Sequence, residues 1–214
     1  MKRNMVNSMV LIDMVKLNGR QAFIKRSFDI IFSLLGLLFF GWLILLAWII
    51  ASLDTSSNGF FLQWRVGLNG KLFRVIKIKT MISVSGFDSS VTTSKDPRIT
   101  KTGMFFRKTK VDELPQLWNV ILGDMSFVGP RPDVPGFADK LADNQRGILS
   151  LRPGITGPAT LKYRDEEELL AQRDNPEEFN KSVIWPDKVK INLSYIMTWS
   201  LSKDLIYIFR TVVK

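Results

Sequence analysis

The sequence contains neither cysteine nor histidine. Without cysteine there is no disulfide, no thiolate nucleophile and no sulfur-ligated zinc. Without histidine there is no imidazole base, which removes Ser–His–Asp and Cys–His catalysis and every histidine-bound metal. The G-x-x-x-x-G-K-[ST] phosphate loop and the G-x-G-x-x-G turn are also missing, so ATPase and dinucleotide readings lose their usual support. An enzyme made from these residues has carboxylates, Lys and Arg, hydroxyls, backbone amides, or a hard metal held by oxygen.

What is present is a chain of 214 residues with 30 basic and 20 acidic side chains and a net charge of +10. That length suits one ordinary domain plus an attachment. Mean hydropathy is +0.07 although 23% of the residues are charged, so the apolar residues are concentrated somewhere. They lie in Ile30–Leu53, 24 residues without a charge. As a helix this run is about 36 Å long, enough to cross a hydrocarbon core of about 30 Å. It exceeds the roughly 7–15 apolar residues of a cleavable signal peptide. The segment is expected to meet lipid rather than fill a soluble core.

The charge around it bears on topology. Residues 1–29 and residues 54–79 each carry a net +4. A straight span would put one of two equally basic flanks on the translocated side, against the positive-inside tendency. A segment that dips in and returns leaves both on the cytoplasmic, anionic-lipid face, with Gly36 and Gly41 as candidate bend points. Residues 1–79 hold +8 of the +10, so the excess charge brackets the apolar run instead of forming a nucleic-acid-binding stripe, and no nucleic acid is expected as a partner.

Three segments follow from these patterns: an arm over 1–24, a membrane-inserted helix over 25–54 and a cytoplasmic domain over 55–214. Phe60–Val66 and Lys71–Lys79 flank Gly67-Leu68-Asn69-Gly70, a hairpin signal. Alternation puts Phe73, Val75, Lys77 and Lys79 on one face of the second strand. Residues 82–95 read as a loop. Helical patterns are predicted over 101–110, 113–122, 135–147, 165–173 and 188–212, the last with its stripe Val189, Leu193, Ile196, Leu205, Ile208, Phe209 and Val212 facing the core. The fold class is α+β, mostly helical with a small hairpin.

The densest chemical signal is KVDELPQLWNVILGDMSFVGPRP, residues 110–132. A helix is predicted from Glu113 to Leu122, with Pro115 tolerated in its first turn and Asp112 at or near the N-cap. Asp112 and Glu113 have two readings. One is an ordinary cap beside an acid that compensates the helix dipole. The other is a pair that holds Mg²⁺ and presents one oxygen as a nucleophile beside a bound phosphate. The surrounding cations favour the second: Arg107 upstream, Arg131 between two prolines, Arg152 opening RPGITG, and Arg98 in DPRIT. Glu166–Glu168 reads as a solvated helix start.

These motifs resemble the bacterial sugar transferases, the monotopic phosphoglycosyl transferases that begin polyprenol-linked glycan assembly. The likeness runs through KRSFDII, IKIKTM at 76–81, DPRIT at 96–100, RKTKVDELPQLWNVILGDMSFVGPRP at 107–132 and RPGITG at 152–157, and it matches the minimal form of that family. The resemblance implies a re-entrant membrane helix and a catalytic domain on the cytoplasmic face of the bacterial inner membrane. It also implies transfer of a phospho-sugar from a UDP-sugar to undecaprenyl phosphate, with release of UMP through a covalent aspartyl intermediate. By position, Asp112 would be the nucleophile and Glu113 the Mg²⁺ ligand, with Asp112 sharing the metal; Lys77, Lys79, Arg98, Arg107, Arg131 and Arg152 would bind substrate. The expected partners are the UDP-sugar, undecaprenyl phosphate and membrane lipid, with a homo-oligomer left open. The family's Ser-Pro bend is replaced here by Gly41-Trp42, and PATLKYRDEEELL stands where many members continue Trp-Ala-Gln-Val. The rival reading is a non-catalytic membrane-anchored adaptor that binds anionic lipid or a partner protein.

Overall fold

The uncharged run is the middle of a longer helix. In the computed structural model, which describes residues 16–82, 96–141 and 145–213, α1 spans Gly19–Thr55 without interruption through Gly36 and Gly41. It starts at a capping box, in which Asn18 and Gln21 satisfy each other's backbone N–H groups. It ends at Ser56 in the left-handed conformation. At 1.5 Å per residue its 37 residues extend about 55 Å. The helix therefore takes in residues 19–24, which the sequence reading placed in the arm; residues 1–15 lie outside the described residues, as do residues 83–95 of the expected loop.

One stripe of α1 faces the rest of the chain along nearly its whole length. Lys25 reaches Asp204, Asp29 accepts from Ser126 and Phe127, Gly36 lies over Leu117, and Ile44, Ala47 and Ala51 pack with Ile78 and Phe106. The other side is bare: Leu38 is 75% exposed, Trp42 67% and Leu53 78%. A core helix of a soluble domain would bury these side chains.

The hairpin forms as predicted. β1 (Phe60–Val66) pairs antiparallel with β2 (Leu72–Ile78), with Phe60 opposite Ile78 and Val66 opposite Leu72. Asn69 and Gly70 both take positive φ in the turn, which Asn and Gly tolerate. The Phe73–Val75 face of β2 is buried with Val120 and Met125. Its continuation, residues 79–82, bonds back to residues 98–100, so IKIKTM and DPRIT lie side by side before α2 (Lys101–Thr109).

The predicted helix 113–122 divides in two. A 3₁₀ turn covers Val111–Glu113, and α3 covers Gln116–Leu122. Pro115 has no N–H to donate and stands at the junction. Asn119 fastens α3 to the edge of β2, donating to the Arg74 carbonyl at 2.8 Å and accepting from the Ile76 N–H at 3.0 Å.

A second sheet was not expected. β3 (Ser126–Val128) pairs in parallel with β4 (Gly154–Thr156). No α-helix occurs among the described residues of 135–147; 3₁₀ turns occupy Ala138–Lys140 and Arg146–Ser150. Gly136 adopts φ +107 before the first turn and Leu141 is extended after it, while Ala138, Ile148 and Leu149 pack onto Val66 and Val189. Tertiary burial here outweighs a helical pattern of limited length.

The C-terminal region holds α4 (Pro158–Lys162), α5 (Glu166–Ala171), α6 (Pro176–Phe179), α7 (Trp185–Met197) and α8 (Leu201–Val212). The single helix predicted over 188–212 breaks at Ser200, whose side chain caps α8 by accepting from the Lys203 N–H. The break shifts the phase of the apolar stripe. Val189 and Ile196 stay buried, whereas Leu205, Phe209 and Val212 are exposed, contrary to the core-facing expectation.

Candidate functional site

Asp112 and Glu113 follow α2 directly. Lys110 takes the left-handed conformation between them and the helix, which turns the chain sharply. Both carboxylates are buried, 7% and 8% exposed. Neither caps a helix, and Asp112 Oδ1 is buried without a hydrogen-bond partner among the described residues. The capping explanation for Asp112 is therefore withdrawn. A buried, unpartnered carboxylate oxygen costs stability, and a bound ligand would relieve that cost.

The two acids differ in their surroundings. Glu113 Oε1 accepts from Arg131 at 2.9 Å and from Lys77 at 3.1 Å. Burial pushes the Glu113 carboxyl up, but Arg131, Lys77 and Lys110 together outweigh it and hold the group well below the usual carboxylate range. For Asp112, burial and the neighbouring Glu113 charge win over Lys77, Lys110 and Arg107, and its pKa is pushed up to about 6. The site thus holds one firmly ionised acid and one poised just below neutrality. Burial lowers the Lys77 pKa, with Glu113 opposing.

RPGITG works differently from the sequence expectation. Gly154 and Gly157 permit close approach, but to backbone: a Cβ on Gly154 would lie 2.1 Å from the Gly129 nitrogen, and one on Gly157 would lie 2.3 Å from the Gly129 oxygen. Gly154 N–H donates to the Pro130 carbonyl and Gly129 N–H to the Thr156 carbonyl. The two motifs are locked together, and between its prolines Arg131 is aimed at Glu113.

Of the predicted site residues, the structure gathers Asp112, Glu113, Lys77 and Arg131. Arg107 acts on Asp112 electrostatically while paired with Glu167. Three others point elsewhere. Lys79, one position past the end of β2, donates to Ser57 at 2.6 Å. Arg98 grips Asp96 with its Nε and a terminal nitrogen. Arg152 donates through Nε to the Gly123 carbonyl at 2.7 Å, at the opposite end of α3 from the acids. Glu166 and Glu167 are not a solvated run: Glu166 pairs with Lys188 at 2.6 Å and Glu167 with Arg107, which brings α5 against the site. The sequence reading also missed Lys110, Arg65 and Asp133. Asp133 is half-buried beside Lys188, Arg65 and Arg131, and desolvation lifts its pKa to about 6; its adjacency to GPRP was the available signal.

Mg²⁺ would fit this donor set. The site offers the unpartnered Asp112 oxygen and the adjacent Glu113 carboxylate, and a hard cation that keeps waters and takes substrate phosphates needs few protein ligands. No group of three or more acidic ligands occurs among the described residues, so the pair is the available binding unit.

Comparison with known proteins shows what the whole chain resembles. The bacterial sugar transferase pattern matches residues 20–214. The chain is 35% identical over 205 residues to the UDP-glucose:undecaprenyl-phosphate glucose-1-phosphate transferase of Klebsiella pneumoniae, covering 92% of this chain and 41% of that one. It is 31% identical over 204 residues to the exopolysaccharide production protein ExoY of Sinorhizobium fredii, covering 88% and 83%. A third relative, the undecaprenyl-phosphate galactose phosphotransferase of Salmonella typhimurium, is 31% identical over 205 residues, covering 88% and 40%. The chain thus spans under half the length of the Klebsiella and Salmonella relatives and most of the length of ExoY.

Proposed function

The chain belongs to the bacterial sugar transferase family, and from that premise we propose that it moves a phospho-sugar from a UDP-sugar to undecaprenyl phosphate at the cytoplasmic face of the inner membrane. The observation that carries the proposal is the unpartnered, buried Asp112 oxygen beside a Glu113 held by Lys77 and Arg131.

In this reading an Asp112 carboxylate oxygen attacks the sugar-bearing phosphorus of the donor. The bond from that phosphorus to the bridging oxygen breaks, and UMP leaves with the electron pair. An oxygen of undecaprenyl phosphate then attacks the same phosphorus, breaks the acyl-phosphate bond and restores the carboxylate. Neither attack needs a general base, because both nucleophiles are already anions near pH 7. That is how the chemistry proceeds without histidine. Arg131 and Lys77 take up charge on the transferring group. A Mg²⁺ held by Glu113 and Asp112 would neutralise the diphosphate. Membranes given UDP-glucose or UDP-galactose and undecaprenyl phosphate are expected to release UMP, with loss of release on chelation. No UMP release with any UDP-sugar would leave the adaptor reading standing.

We propose further that both ends of α1 stay on one face of the bilayer. Its contacts with the domain run from Lys25 to Ala51, about 39 Å of helix. A helix standing across a core of about 30 Å could not keep one water-soluble domain against both ends. Because the protein has no cysteine, Arg20→Cys and Asp54→Cys can each be labelled without background. Both are expected to react with an impermeant maleimide only in inverted vesicles; reaction of either from outside would indicate a plain span.

A further inference from the structure

A second basic centre lies at the far end of α3. A cavity of about 310 Å³ opens between the first turns of α1, the hairpin turn and the segment before β4. Its charged lining is Lys16, Lys25, Arg26 and Arg152 against Asp29. Lys25 is paired with Asp204 at 2.6 Å, and Asp29 accepts from Ser126 Oγ and the Phe127 N–H. The two guanidiniums have main-chain partners instead. Arg26 donates to the Val120 and Ile121 carbonyls at 2.6 and 2.8 Å, and Arg152 to the Gly123 carbonyl. No carboxylate among the described residues forms an ion pair with either.

Each guanidinium carries five N–H donors, so most of these donors lack an acceptor among the described residues. The carbonyls behind them hold the forks in place, and the two like charges repel each other. A bridging anion with several oxygens would relieve that repulsion and take up the donors bidentately. The location selects the anion. Ala22, Lys25, Arg26 and Asp29 occupy the cavity side of α1, and the uncharged run begins at the next residue, Ile30. Phe23 and Ile24 on adjoining positions are exposed. A phosphate held here sits at head-group depth, with apolar helix surface leading away from it for acyl chains. We infer that the cavity between Arg26 and Arg152 binds the phosphate of an anionic bilayer lipid and so fixes the depth at which the α1–domain unit sits. This site stands apart from Asp112 and Glu113, and the inference does not depend on the reaction proposed above.

The test is native mass spectrometry of the full chain from nonionic micelles holding equal phosphatidylglycerol and phosphatidylcholine. The wild type is expected to retain phosphatidylglycerol about tenfold over phosphatidylcholine, as two charge-assisted forks would give. Arg26→Gln with Arg152→Gln is expected to bring that ratio to parity. Asn69→Asp adds a carboxylate to the cavity wall without disturbing either guanidinium contact, and is expected to lower the ratio about threefold even if the double variant does not fold. No preference in the wild type, or an unchanged ratio in these variants, overturns the inference. Displacement of the lipid by millimolar inorganic phosphate would assign the cavity to a free anion. Displacement by equimolar undecaprenyl phosphate would assign it to the acceptor, and either result overturns the lipid assignment.

Discussion

Asp112→Asn is expected to reduce UMP release at least about a thousandfold while making the folded protein more stable. The loss follows from removing the attacking oxygen, since an amide does not displace a phosphoryl group. The gain follows from the burial that lifts the Asp112 pKa from 3.8 to about 6. Because the folded value lies above the unfolded one, the fold disfavours the ionised acid, and near pH 7 that penalty is about 2–3 kcal/mol. The neutral amide escapes it. The penalty is present above pH 6 and fades as pH falls through 6 towards 3.8, so the two proteins should converge in acid. Melting midpoints at pH 7.5 and pH 4 measure this, with a gain of about 5 °C expected at the higher pH. Wild-type turnover should fall on the acid side with a midpoint near pH 6, as the nucleophile takes up its proton. Retention of more than a tenth of the activity in the Asn variant, or a melting point below wild type at pH 7.5, would contradict the assignment.

The adjacent substitution is expected to act with the opposite sign on stability. Glu113→Gln leaves Arg131 and Lys77 beside a neutral amide in a buried site. Removing one partner from a buried charge cluster costs about 3–5 kcal/mol, because the remaining charges keep their desolvation without compensation. Glu113 is held below the usual carboxylate range, so its contribution is present at neutral pH and lost as pH drops through the folded value. Wild type and variant should again converge in acid, this time with the variant less stable at pH 7.5. Turnover should fall by about a hundredfold or more, from a disordered Arg131 and a weakened Mg²⁺ site. Urea titration of both variants against wild type at pH 7.5 separates the signs. Two neighbouring acids, given the same acid-to-amide change, would then report a nucleophile kept ready at a cost and a partner that anchors its surroundings.

Several features of the site were readable before the fold. Asp112 and Glu113 are sequence neighbours, and the pattern of Leu114, Leu117, Trp118, Ile121 and Leu122 put them at the start of a helix. Arg131 is stiffened by its own prolines, and alternation in β2 put Lys77 on the same face as Phe73 and Val75. Alternation could not show that Lys77 would reach Glu113 while Lys79 would stop at Ser57. That depends on where the strand ends relative to α1. Likewise, Glu166 and Glu167 looked solvated, because their partners Lys188 and Arg107 are respectively about twenty residues later and sixty residues earlier. The helix predicted over 135–147 is missing from the described part of that range for a related reason. Its apolar residues are used by Val66 and Val189, which no local pattern contains.

The amino-acid order by itself determined the long uncharged apolar run, the hairpin, the acid pair and the catalytic classes closed by the absence of cysteine and histidine. Each of these depends on composition or on spacing within one turn or one strand, where geometry repeats regularly. Tertiary structure alone decided which of the two acids is held firmly ionised, where Arg152 points, and that α1 lies along the domain for most of its length. Those outcomes depend on the desolvation and charge that distant segments bring to one place, and a long side chain takes its direction from what packs around it.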